Sequence, residues 1–124
     1  MHFQLSDTDR YWWPVTVRIP DPQNPGQIVE QTLKAEFEPL TPEEESRAAE
    51  AAAGLNSLRE ILDHSIAQAA RVVKNWDGVV DDQKNPVPFT PEMLRLALGK
   101  TWFRIGVNEA YQQSLKGEAA RLGN

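Results

Sequence analysis

The chain has 124 residues, of which 40% are hydrophobic and 25% charged, with nine prolines and a formal charge of -5. This is the balance of a globular chain of one domain, residues 1–124, and it excludes intrinsic disorder. With no cysteine, disulfides, thiol redox chemistry and cysteine-ligated zinc are excluded too.

The acidic balance argues against nucleic acid as a partner, because phosphate-backbone affinity comes from clustered Lys and Arg. The apolar runs are too short for a membrane span. Met1 to Gln4 lack the basic-then-apolar order of a signal peptide, so the cytoplasm is the expected location. Charge is unevenly spread: residues 30–63 carry nine acidic and three basic side chains, whereas residues 91–121 carry three acidic and five basic. That asymmetry favours docking of one half on the other, or of one subunit on the next. The plainer reading is two solvated helix faces, because exposed ion pairs contribute little.

In chain order, Phe3 and Leu5 are a candidate short strand. Trp13, Val15, Val17 and Ile19 then alternate with Pro14, Thr16 and Arg18, the period of a strand with one buried face. Pro14 lacks a ladder donor and places this strand's start at an edge or end of the sheet. After the turn-forming Pro20 to Gly26, Val29, Gln31, Leu33, Ala35 and Phe37 share one face of a second strand. A lone hairpin is marginal in water, so it must lie on helices or pair with another chain, as in a homo-oligomer. Trp12 and Trp13 are adjacent, so one of them faces away from the core. Trp12, Val17 and Leu33 are the residues expected near an interaction surface.

Thr41-Pro42-Glu43-Glu44 reads as a capped helix start with a capping box. Gly54 is placed to interrupt that helix. Leu55, Leu58, Leu62, Ile66, Ala69, Val73 and Trp76 recur at steps of three and four, which predicts one long helix ended by Asp77-Gly78. Beyond a proline-rich loop, Thr90-Pro91-Glu92 starts a short helix that ends near Gly99, with Phe89 stapled against Leu94. A last helix from about Thr101 puts Phe103, Val107, Tyr111, Leu115 and Ala119 on one face. Trp76 and Trp102 are assigned to core packing. The expected fold is therefore α+β: an N-terminal hairpin over residues 1–40, packed on three to four helices over residues 41–124.

Chemistry is sparse. His64 and Ser65 are neighbours on a helix and cannot form a nucleophile and base pair, while Glu60 and Asp63 are near enough to pair with His64. The seven glycines are dispersed singly, so none cradles a phosphate, and no cofactor is expected. Asp81, Gln83, Asn85, Val87, Phe89 and Glu92 fall in a calcium-loop register, but the position that needs glycine is Pro86. The register is read as coincidence, and neither a metal nor a catalytic residue is assigned.

The run Trp76-Asp77-Gly78-Val79-Val80-Asp81-Asp82, followed by Pro88-Phe89-Thr90 with Glu92 and Leu94, and by Ala119, Ala120, Arg121 and Asn124, resembles the tail assembly chaperones of long-tailed phages and prophages. The resemblance covers about the last 50 residues. Members often carry a glycine soon after the acidic pair, where this chain has Lys84-Asn85. The resemblance implies a non-enzymatic assembly factor in the host cytoplasm. Such a factor would bind the tape measure protein, guide tail tube protein onto it and be absent from the finished particle. Trp76, Asp77, Gly78, Asp81, Phe89 and Thr90 would then be a structural motif. The alternatives are a minor structural protein of the particle, such as a connector, and a small acidic regulatory protein acting by mimicry.

Overall fold

A computed structural model describes residues 1–120. The fold is α+β, with a three-stranded antiparallel sheet and four helices. Strands β1 (Tyr11–Pro20) and β2 (Ile28–Phe37) form a hairpin in unbroken register, from Tyr11↔Phe37 to Pro20↔Ile28. Its loop is fastened by Asp21, whose carboxylate accepts from the Gln23 N–H and from Asn24 Nδ2, each at 2.9 Å. The Asn24 and Gln23 bonds hold the Asp21 carboxyl below the usual carboxylate range.

The third strand is not at Phe3 and Leu5, which are 87% and 89% exposed and carry no strand. It is β3 (Val73–Asp77), on the open side of β2. The long helix expected up to Trp76 therefore stops four residues early. Helix α2 (Leu58–Val72) passes straight into β3. Val72, Val73 and Trp76 are β-branched or aromatic residues that lose little in a strand, and the edge of β2 offers them ladder bonds. Trp76 faces Ala35 and is buried, while Asn75 and Asp77 alternate to the other face.

Helix α1 (Pro42–Ala53) carries the expected capping box. Thr41 Oγ1 accepts from the Glu44 N–H at 3.2 Å, and Glu44 accepts from the Thr41 N–H at 2.9 Å. Gly54 ends α1 rather than kinking it, and Ser57 caps α2 afresh. No residue of α1 is buried. Leu58, expected on the apolar stripe of α2, is the helix's first residue and is 71% exposed.

Helix α3 (Pro91–Leu98) is capped by Thr90 through the Met93 N–H at 3.0 Å and buries Leu94 and Leu98. Arg104 Nη1 donates to the Leu98 carbonyl at 2.8 Å, satisfying one of the helix's terminal acceptors. Helix α4 (Thr101–Leu115) ends sooner than its apolar pattern suggests, so Ala119 lies beyond it and Leu115 is exposed. Trp102 is exposed as well, against the expectation of core packing. Of the family-like C-terminal residues, Arg121 and Asn124 lie outside the described residues.

One cluster of buried side chains holds these elements together. Val15, Val17, Ala35, Phe37 and Trp76 from the sheet meet Ala69 and Val72 of α2, Leu94 and Leu98 of α3, and Val107 and Ala110 of α4. Helix α4 lies along the outer edge of β1, where Gly106 approaches the Thr16 carbonyl oxygen so closely that a Cβ would stand 2.6 Å from it. The proline-bearing edge predicted from Pro14 is thus the one a helix covers. Among the described residues no ion pair joins the acidic stretch 30–63 to the basic stretch 91–121. The glutamates of α1 make no ion pair with α4 among the described residues. No described helix is long and apolar enough to cross a membrane.

Candidate functional site

The outer face of the sheet is left open, and Trp12 stands on it at 45% exposure, opposite Glu36. Val17, expected at a contact surface, is 4% exposed and belongs to the core, because α4 closes over its half of β1. Leu33 is half-buried beside Gly78, whose φ of +95° turns the chain off the end of β3. Gly78 thus ends a strand, where the sequence suggested that it stops a helix.

The central loop is a small folded unit. Val80 bridges Pro86, the Asp81 N–H donates to the Asn85 carbonyl at 2.9 Å, and the Val87 N–H donates to the Val79 carbonyl at 2.9 Å. Asp81 Oδ1 accepts from the N–H groups of Gln83 and Asn85 at 2.9 and 3.0 Å, so this carboxylate closes the turn. Lys84 takes the left-handed conformation at φ 68°. The Trp76 indole N–H donates to the Val87 carbonyl at 2.8 Å. Phe89 meets the Trp76 ring edge to face at 5.3 Å, so its documented anchor is Trp76.

Two open grooves flank this framework. The first, of about 650 Å³, lies between the hairpin, the central loop and the start of α4. It brings together Val17, Leu33, Gly78 and Asp81 with Ile19, Lys84, Lys100 and Trp102, and it does not include Trp12, Trp76, Asp77, Phe89 or Thr90. The second, of about 550 Å³, lies between α1, α2 and α4. Its walls are mostly apolar: Leu40, Ala48, Ala52, Leu55, Ile61, Ala69 and Val72, with Tyr111 from α4. None of the interaction or motif residues assigned from sequence lines it. The available signal was Ile61, an apolar residue standing off the main stripe of α2.

Seven of the fourteen residues lining the second groove carry polar groups, Asn108 and Gln112 of α4 among them. His64 and Ser65 both border it, and among the described residues no hydrogen bond joins them. Glu60, expected near His64, turns back to the helix start and accepts from Ser57 Oγ at 3.1 Å, while Asp63 pairs with Arg59 at 3.3 Å. Gln68 Oε1 is buried in the wall without a partner. Burial pushes the Tyr111 phenol up, opposed by a bond from the Leu40 backbone. Among the described residues no group of three or more His, Asp or Glu side chains converges to hold a metal ion.

Compared with family models, curated proteins and solved structures, the chain matches none. What the grooves offer is shape and apolar area. Ile61, at 51% exposed, extends the second groove onto the surface. Contiguous exposed apolar surface of this kind, rimmed by charge, marks contact sites for other chains.

Proposed function

We propose that the chain is a tail assembly chaperone of a long-tailed phage or prophage. It binds the tape measure protein, keeps it soluble while tail tube protein assembles, and does not enter the particle. The observation that carries this reading is the apolar groove between α1, α2 and α4, a trough with a helix on each side and half-exposed Ile61 in its wall. An amphipathic client helix can lay its apolar face into such a trough. The glutamates of α1 stand on the rim, with Glu45 in the wall, and favour a client helix with basic flanks. The run from Trp76 to Leu94 adds the family resemblance, and this reading asks for no catalytic step.

The test is co-expression with the cognate tape measure protein. A raised soluble yield and a complex on gel filtration are expected, and Ile61→Glu in the groove should abolish both while the free chain keeps its circular dichroism. No complex and no change in yield would overturn the proposal. Recovery of the chain from purified particles would instead assign it to the particle's minor structural proteins.

A further inference from the structure

The fold treats its two sheet edges differently. The Asp21 N–H donates to the Gln27 carbonyl at 2.8 Å, which makes these two a hydrogen-bonded pair at the hairpin end. Such pairs alternate along an antiparallel ladder, so odd-numbered residues of β2 turn their backbone groups to β1 and even-numbered ones turn theirs away. The bond from the Glu38 N–H to the Val72 carbonyl, at 2.9 Å, obeys the same parity. Glu36 and Lys34 face β3, whose pairing stops at Lys34↔Asp77, where Gly78 turns the chain aside. Ile28, Glu30 and Thr32 therefore direct N–H and C=O groups to an edge with no strand beside it among the described residues. Residues 28–32 are all exposed.

We propose that this edge takes a short extended segment of a second protein, added antiparallel to β2 in the line of β3, with a basic residue opposite Glu30 and apolar residues on either side of it. An extended strand is the backbone form that matches donors and acceptors alternating in this way. On the side of Val29 and Gln31, side chains of the added strand would enter the groove lined by Ile19, Leu33, Val80 and Trp102, which calls for apolar groups. On the other side stands Glu30, in a chain of net charge -5. Its partner Arg18, at 3.0 Å, is shared with Glu109 at 3.9 Å, and both members of the pair are partly exposed, so a second cation can join.

A second copy of the chain fits poorly. Symmetric pairing through Ile28, Glu30 and Thr32 sets Glu30 opposite Glu30, and like charges in that position are destabilising. The register centred on Gln31 sets Ile28 opposite Lys34, already paired with β3, and Val29 opposite Leu33, where Gly78 stands. The inference holds whether or not the client is a tape measure protein.

The test uses the isotope-labelled full chain and the peptide acetyl-Thr-Val-Lys-Val-Thr-amide. Three forms are compared: unmodified, N-methylated at Lys, and N-methylated at the Val after Lys. The Lys amide would bond to Glu30, whereas that Val amide would point away. The expected result is that the amide signals of Ile28, Glu30 and Thr32 shift with the unmodified and Val-methylated peptides, and that methylation at Lys weakens binding about tenfold or more. Glu30→Lys should weaken the Lys peptide and favour its Glu counterpart. Equal binding of the two methylated peptides, shifts located elsewhere, or no shift with any peptide would overturn the proposal. Concentration-dependent protection of these three amides in the free chain would also overturn it, by giving the edge to a second copy.

Discussion

The Trp76 indole N–H donates to the Val87 carbonyl oxygen at 2.8 Å, joining the last strand to the far arm of the central loop within the core. Trp76→Phe keeps a ring against Phe89 and Phe103 but leaves that carbonyl without its donor. It should lower stability by about 1 to 2 kcal/mol, and Trp76→Ala by about 3 to 5 kcal/mol. Urea unfolding measures both, and an unchanged midpoint for the Phe variant would mean that water replaces the indole freely.

Gly106→Ala sets two effects against each other. Alanine favours a helix interior by about 1 kcal/mol, but its methyl would stand 2.6 Å from the Thr16 carbonyl oxygen and 3.2 Å from Val17 Cγ2. Backbone yields less readily than a side chain, so the steric effect should win and the variant should lose about 1 to 3 kcal/mol. A raised melting temperature would contradict the close approach of α4 to β1.

Lys84 holds a φ of 68°, a conformation that glycine adopts without strain. Lys84→Gly should therefore stabilise the protein by about 0.5 to 1 kcal/mol, the strain relieved exceeding the added freedom of the unfolded chain. Thermal and urea unfolding of the variant decide it. A loss of stability would place the turn's strain elsewhere.

Thr41→Ala removes the cap of a helix that buries nothing. The loss, about 1 kcal/mol, should stay local: amides of α1 should exchange faster while those around Leu94 and Val107 keep their protection. Glu44 adds a pH dependence, since its bond from the Thr41 backbone holds its carboxyl below the ordinary range. A lowered folded-state pKa gives stability that is present above the ordinary value and lost as pH falls through the lowered one. Protection factors of the α1 amides, taken against the intrinsic exchange rate at each pH, should accordingly fall in acid, and Glu44→Gln should remove that response.

How far the sequence could be read follows from how local each cause is. The helix starts at Thr41 and Thr90 depend on residues three positions apart, and both caps are where the spacing put them. The hairpin was legible because alternation and a proline turn are local as well. Strand β3 was not, since Val73 and Trp76 fit a helical step of three and share a buried side of the strand only through the register shift beside Phe37, which the free side of β2 imposes. Val17 was misassigned for a similar reason: only the fold shows that α4 closes over that stretch. The second groove depends on the chain breaking at Gly54 and turning back, and no spacing within α2 records that turn.

With α4 lying along β1, only one flank of the sheet can accept a neighbour, and β3 already occupies half of that flank. Unlimited fibre growth by strand stacking requires two free flanks on every unit. A molecule walled on one side therefore halts after a single addition, so occupation of the free flank ends in a pair and not in a fibre.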